Sequence, residues 1–116
     1  MITFEELRRV AEALREPTRF RAFLSAHPDW LFAAAVDTRC PLALFARADL
    51  GLTQPSARVT ELCWFPGSER ATVDLPVWAQ NFITYVDGQP GDLSGTEALA
   101  ALDAIIALLR HDAVAV

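Results

Sequence analysis

The sequence predicts an α+β fold in which about five helices pack around a small antiparallel β-hairpin at residues 58-75. Two observations predict this class. Residues alternate between apolar and polar on both sides of a Pro-Gly-Ser-Glu turn, which is typical of a hairpin. The segments before and after it repeat apolar residues at helical spacing behind N-cap signals. We expect residues 1-116 to form a single globular domain, because no linker or internal repeat divides the chain.

Two helices are predicted at the start of the chain. Thr3 and Glu6 form a capping box, so the first helix should begin at Phe4. Pro17 ends it, and Thr18 is expected to cap a second, shorter helix. The apolar residues of that second helix are Phe20, Phe23 and Leu24.

These two helices hold the main concentration of basic residues in the chain. A nucleic-acid-binding module that uses the Arg8-Arg21 region is therefore one functional alternative, since arginines bind phosphates. Acids are interleaved with the arginines, which favours a solvated helix face with internal ion pairs. A net charge of −5 also makes nucleic acid a poor partner. The five arginines are Arg8, Arg9, Arg15, Arg19 and Arg21.

The next segment contains a turn and a reactive-residue candidate. Asp29 is predicted to cap a buried helix over residues 30–36, with a buried strand as the alternative. Pro41 suits the first turn of another helix, which places Cys40 at its N-cap. The positive end of the helix dipole favours a thiolate there, so Cys40 is the candidate nucleophile. Without a recognisable base nearby, a buried and inert thiol is the preferred interpretation.

The hairpin follows a segment, residues 52–57, that is predicted as a loop. A two-residue type II′ turn starting at Gly67 sets its register and pairs Trp64 with Ala71. The same register places Glu61 opposite Asp74 on the outer face. These acids are candidate binding residues, with a cation between them or simple solvation as the two interpretations. The inner, buried face consists of Leu62, Trp64, Ala71, Val73 and Leu75.

Two further helices complete the prediction. The first begins at Pro76, and Trp78 and Tyr85 on it could form a binding surface or pack in the core. A second capping box, Ser94 with Glu97, opens a helix that should run to about Arg110. The helices at 76–86 and 95–110 are expected to cover the hairpin, and residues 113–116 to form a frayed tail or an edge strand.

The last helix carries an apolar row at 3-4-3 spacing, flanked by small residues. Such a row packs in the core of one chain or joins two copies of it, so a homodimer is the alternative. The row consists of Leu99, Leu102, Ile106 and Leu109, with Ile105 beside it. The flanking residues are Ala98, Ala101 and Ala104.

Several classes of function are excluded or disfavoured. All ten basic residues are arginine, so Schiff-base chemistry and a P-loop lysine are excluded. No catalytic or nucleotide-binding signature is present, and His27 has no partner at metal-ligand spacing, so we expect no cofactor and no metal. No apolar run is long enough to cross a bilayer, and the start of the chain lacks a secretory signal. We therefore expect no membrane contact and a cytoplasmic protein.

The leading functional hypothesis is a small non-enzymatic interaction or regulatory protein that acts by binding another macromolecule. The absence of lysine and the abundance of alanine suggest a GC-rich bacterial or phage genome. The acidic second half, with two arginines and eight acids in residues 59–116, could meet a protein partner, as yet unidentified. The rival hypotheses are a cysteine-dependent enzyme or redox sensor using Cys40, and the nucleic-acid-binding module.

Overall fold

The structure, a computed structural model, describes residues 3–33, 36 and 38–115, with side chains as far as Arg110. The described residues form five helices and five short strands, which confirms the α+β class. The helices are α1 (Phe4–Arg15), α2 (Thr18–Ala26), α3 (Pro41–Ala48), α4 (Val77–Asp87) and α5 (Gly95–Ala115). The strands are β1 (Leu31–Phe32), β2 (Ser56–Ala57), β3 (Glu61–Trp64), β4 (Ala71–Asp74) and β5 (Leu93–Ser94).

The hairpin of β3 and β4 has the predicted register but not the predicted turn. Trp64 pairs with Ala71, and Glu61 lies opposite Asp74. The connection is a six-residue loop between the paired ends, and Gly67 does not take the positive φ that a type II′ turn requires. The predicted two-residue turn is therefore wrong. The pairing itself follows from the alternation of apolar residues, which is independent of the loop.

A third strand, β2, joins the hairpin within the segment predicted as a loop. Ser56 pairs with Cys63 in an antiparallel register. This neighbour explains why Cys63, expected on the solvated face, is buried. A strand of two residues beside a proline has no periodicity from which it could be predicted.

The hairpin is covered by α1, and the expectation that the last two helices cover it is wrong. Helix α1 packs against β4, whereas α4 and α5 pack against each other and α5 also packs against α2. Thr3 caps α1 as predicted, since its hydroxyl accepts the backbone N–H of Glu6 at 3.1 Å. The Glu6 carboxylate accepts the indole N–H of Trp64 at 3.2 Å, which attaches α1 to the buried face of the hairpin.

The helix predicted over residues 30–36 is wrong where the structure describes it, and the buried strand given as the alternative is found only in part, at Leu31–Phe32. Leu31 and Phe32 pair with Ser94 and Leu93 in a second small sheet, so Asp29 caps no helix. Leu31 is exposed and Phe32 buried, which is the alternation of a half-covered strand. Residues 34, 35 and 37 lie outside the described residues.

The centre of the core is α2. The ring of Phe20 lies 5.3 Å from that of Phe45 on α3 and 5.1 Å from that of Phe82 on α4, measured between ring centroids. Helix α2 begins at Thr18 itself, after Pro17, so the predicted cap by the Thr18 hydroxyl is wrong. Buried residues from all five helices belong to one hydrophobic cluster.

Helix α5 begins at the predicted capping box and runs further than predicted. The Ser94 hydroxyl accepts the backbone N–H of Glu97, and the Glu97 carboxylate accepts that of Ser94. The helix continues past Arg110 to Ala115, so a frayed tail or edge strand over residues 113–115 is wrong; Val116 lies outside the described residues. No helix, over the part of the chain that the structure describes, combines the length and apolarity needed to cross a membrane.

Candidate functional site

An apolar groove runs between α4 and α5. We call it the α4–α5 groove. Its lining residues include Asn81, Tyr85, Glu97, Ala100, Ala104, Ile105 and Leu108, with Glu97 as the charged member. It comprises a depression of about 420 Å³ and an adjoining one of about 250 Å³, which share Ile105 and Leu108. Together they form a continuous trough along α5.

Two large side chains stand at the edge of the groove and remain exposed. Tyr85 on α4 is 47% exposed, and Leu108 on α5 is 62% exposed. The floor between them is made of small residues, Ala100 and Ala104, at four-residue spacing on α5. Large apolar side chains protrude next to small ones, so the groove has a shape into which a helix or another apolar surface can pack.

The groove lacks charge along most of its length. Helix α4 has no charged residue before Asp87. On α5, every exposed position between Glu97 and Arg110 is alanine or leucine. The carboxylate of Asp103 is held on another flank by Arg21, at 2.8 and 3.0 Å. Depletion of charge at the centre of an otherwise charged surface is typical of protein interfaces.

The groove arises because apolar residues of α5 extend beyond the side that faces the core, although Asp103 interrupts them on another flank. A helix that packs one face on a core normally carries charged residues on the opposite face, and an all-round apolar helix is normally buried completely. In α5 the core side contains Ala98, Leu102 and Ile105, which are buried. Leu108, which is three residues after Ile105 and so lies beside it on the helix, is exposed. The chain itself therefore leaves an apolar face of α5 uncovered.

The two aromatic binding candidates on α4 lie in different surroundings. Trp78 is 6% exposed, and its indole N–H donates to the carbonyl oxygen of Leu14 at 2.9 Å. Trp78 therefore joins α4 to α1 in the core. Tyr85 lines the groove, and within the described part of the chain no protein group hydrogen-bonds its hydroxyl. That hydroxyl can accept or donate a hydrogen bond to a partner.

The two acidic candidates lie on the outer face of the hairpin. Glu61 is 3.2 Å from the guanidinium of Arg70, and Asp74 is exposed across the strand pair. Arg70 also donates to the sulfur of Cys63 at 2.9 Å. This hydrogen bond, and to a smaller degree the charge of Glu61, raises the pKa of Arg70. The cation that the Glu61–Asp74 pairing calls for is thus supplied next to Glu61 by the chain itself.

The five basic candidates are not gathered into one free patch. Arg8 pairs with Glu12, and Arg9 donates to a backbone carbonyl at 3.3 Å. Arg19 and Arg21 bind acids on α3 and α5 respectively, so that they connect α2 to its neighbours. For Arg15 the described residues offer no ion pair. Of these pairs, Arg8–Glu12 is the one that the interleaved acids predicted; the acids that bind Arg19 and Arg21 are distant in the sequence.

The thiol candidate Cys40 occupies the N-cap of α3 as predicted, but only 4% of it is exposed. Cys40 and Cys63 are both buried and form no disulfide. Among the described residues, no group of three or more His, Cys, Asp or Glu side chains could hold a metal ion.

Sequence analysis identified Tyr85 but missed the α5 side of the groove. It assigned α5 an apolar row of which Leu102 and Ile105 are buried, and this row is used inside the chain. The uncovered residues Ala100, Ala104 and Leu108 form a second row on the same helix. The available signal was that every residue of 98–109 except Asp103 is apolar, because one globular chain covers only one side of an outer helix.

The comparisons with known proteins identify no relative. No protein-family model matches the chain, and neither a curated protein nor a solved structure matches it.

Proposed function

We propose that this chain is a non-enzymatic interaction protein that binds an apolar surface of a protein partner in the α4–α5 groove. The observation that carries the proposal is the uncovered row of apolar residues on α5 beside Tyr85, with Leu108 62% exposed. An exposed apolar patch of this kind marks an interaction site more often than a solvated surface. Its trough shape suits an amphipathic helix laid along α5.

The test is capture of partners from the native host with the full chain as bait, compared with Leu108→Glu. A buried glutamate without a partner opposes binding strongly, so we expect the variant to lose captured protein by at least about tenfold. Leu31→Glu is the matched control, because Leu31 is also a largely exposed leucine, at 69%, but lies on β1. Equal capture by Leu108→Glu and the original chain would refute a role for the groove.

The cysteine-dependent alternative receives less support from the structure. Cys40 is buried and held at the start of α3, where a substrate or oxidant cannot reach it without local opening. The interaction proposal therefore expects Cys40 to be alkylated only when the protein unfolds. Alkylation of the folded protein at neutral pH, with loss of an activity in Cys40→Ser, would favour the enzyme.

The nucleic-acid-binding alternative is also weakly supported. Its arginines are largely committed to ion pairs and carbonyl contacts within the chain. Binding of nucleic acid would have to replace those contacts while overcoming a net charge of −5. Electrophoretic mobility at low salt measures it directly, since phosphate-driven binding strengthens as salt is removed.

A further inference from the structure

We infer that the occupant of the α4–α5 groove is a second copy of this chain, in a two-fold symmetric dimer with α5 antiparallel to its counterpart. The inference rests on the proposed function and names the partner of the same surface. In this arrangement the symmetry axis passes beside Ala104. Three features of the groove favour a second copy over another protein. They are the self-complementary spacing of its residues on α5, the distribution of its charges and its area.

The self-complementary spacing is that of the exposed row of residues on α5. Ala100, Ala104 and Leu108 recur every four residues, so they lie along one side of the helix at intervals of about 6 Å. A two-fold axis at Ala104 places the Leu108 side chain of each copy over Ala100 of the other. The surface thus contains a protruding residue and a small residue at equal distances from one centre. An isologous interface requires that self-complementarity, whereas binding of a different protein does not.

Charge favours contact between copies at this face and opposes it elsewhere. Each copy has a net charge of −5, so two copies repel each other unless they meet where charge is absent. The centre of the groove is such a place: α4 has no charged residue before Asp87, Glu97 lies at one end of the groove, and Asp103 is paired with Arg21. A basic partner protein would instead have its most favourable electrostatic interactions with the acidic surface outside the groove.

The extent of the groove is sufficient for a reversible dimer. Residues 95–110 of α5 span about 24 Å, and two helices packed about 9 Å apart present a strip about 18 Å wide. Two such strips together cover about 900 Å², which is below the range of about 1,200–2,000 Å² for stable interfaces and within that of weak, transient ones. We therefore expect dimerisation in the micromolar range, with Tyr85 and Leu108 as the side chains that become buried.

The test is sedimentation velocity of the full chain across the micromolar range. We expect a shift from the 12.8 kDa monomer to twice that mass as concentration rises. Ala104 faces its own counterpart across the axis, so Ala104→Arg brings two like charges together and weakens the dimer by at least about tenfold. Ala104→Glu does the same. An equimolar mixture of the two variants restores the dimer, because opposite charges then meet at the axis. Leu31→Glu is the matched surface control and keeps the dimer.

Circular dichroism of each variant verifies that the fold is intact, as expected for substitutions at an exposed position. A chain that stays monomeric throughout would overturn the inference. The proposed function would still stand in that case if Leu108→Glu loses capture of a different protein. A dimer that Ala104→Arg leaves unchanged, or a mixture of the two variants that stays monomeric, would also overturn the inference. Neither result depends on the capture experiment.

Discussion

At the scale of single residues, Gly95 shows how a contact across the fold constrains a position that looks ordinary in sequence. It is the first residue of α5, directly after β5, and its backbone N–H donates to the carbonyl oxygen of Trp30 at 2.8 Å. A Cβ added at Gly95 would overlap the carbonyl oxygen of His27 and lie 2.9 Å from the Cα of Pro28. Both obstacles are backbone atoms, which cannot move aside as the end of a long side chain can.

We therefore predict that Gly95→Ala lowers the free energy of unfolding by about 1–3 kcal/mol, the usual cost of overpacking. Urea denaturation measures the change. Gly91→Ala is the matched control, since a Cβ at Gly91 meets nothing within 4 Å. Equal stability of the two variants would mean that the turn at residues 27–30 is not packed on α5 as described.

At the scale of elements, local signals were predictable and distant pairings were not. Both capping boxes were predicted because each involves residues only three positions apart. The pairing of β1 with β5 joins segments separated by half of the chain, and each strand has two residues. Neither segment has a periodicity that identifies its partner, and apolar residues over 30–36 suit a buried helix equally well. The short β2 was missed for the same reason.

The cap of α5 gives a prediction at this scale. Ser94→Ala removes the hydroxyl that accepts the backbone N–H of Glu97 at 3.1 Å. We expect the free energy of unfolding to fall by about 1 kcal/mol, as for other N-cap serines. Thermal unfolding followed by circular dichroism measures it. Ser68→Ala in the exposed hairpin loop is the control and should change stability little. Similar losses in both variants would contradict a specific role for the cap.

The same helix makes stability depend on pH. Hydrogen bonds from the backbone N–H and then the side chain of Ser94 lower the pKa of Glu97, and Arg21 lowers that of Asp103. A carboxyl whose pKa is lower in the folded than in the unfolded chain stabilises the fold above its unfolded pKa, about 4. This contribution is lost as pH falls through the folded value. We predict that the free energy of unfolding decreases between about pH 5 and pH 2.

The double variant Glu97→Gln, Asp103→Asn should show a smaller decrease, because neither substituted group can ionise. Urea titrations repeated across this pH interval measure it. The matched double variant Glu69→Gln, Asp92→Asn changes two exposed acids for which the described residues provide no hydrogen bond. If both double variants keep the original pH dependence of the free energy of unfolding, that dependence does not come from the Ser94–Glu97 cap and the Arg21–Asp103 pair.

At the scale of the whole molecule, the sequence placed the centre of the fold at the hairpin, and the structure places it at α2. The hairpin was conspicuous because its pattern is local. Phe20 acquires its partners only when α3 and α4 fold against α2. In the candidate site, too, local features were predictable and features that depend on packing were not. Tyr85 was identified from its own helix, but the exposure of Leu108 depends on which side of α5 the rest of the chain covers.

We predict that Phe20→Ala is far more damaging than an equal truncation elsewhere. Phe20 is fully buried, and its ring lies within 6 Å of the rings of Phe45, Trp78 and Phe82. Loss of a buried phenylalanine costs about 3–5 kcal/mol, a large part of the 5–15 kcal/mol that stabilises a typical domain. Urea denaturation should therefore show a much lower midpoint, or no folded baseline.

Phe4→Ala is the matched control, because Phe4 is 79% exposed on α1 and its truncation should cost less than about 0.5 kcal/mol. The comparison also decides between the two views of the fold's centre. If Phe20→Ala resembled Phe4→Ala while Leu62→Ala in the hairpin abolished folding, the hairpin would organise the core and α2 would be peripheral. A large loss at Phe20 instead means that the chain is stabilised where α2 meets α3 and α4.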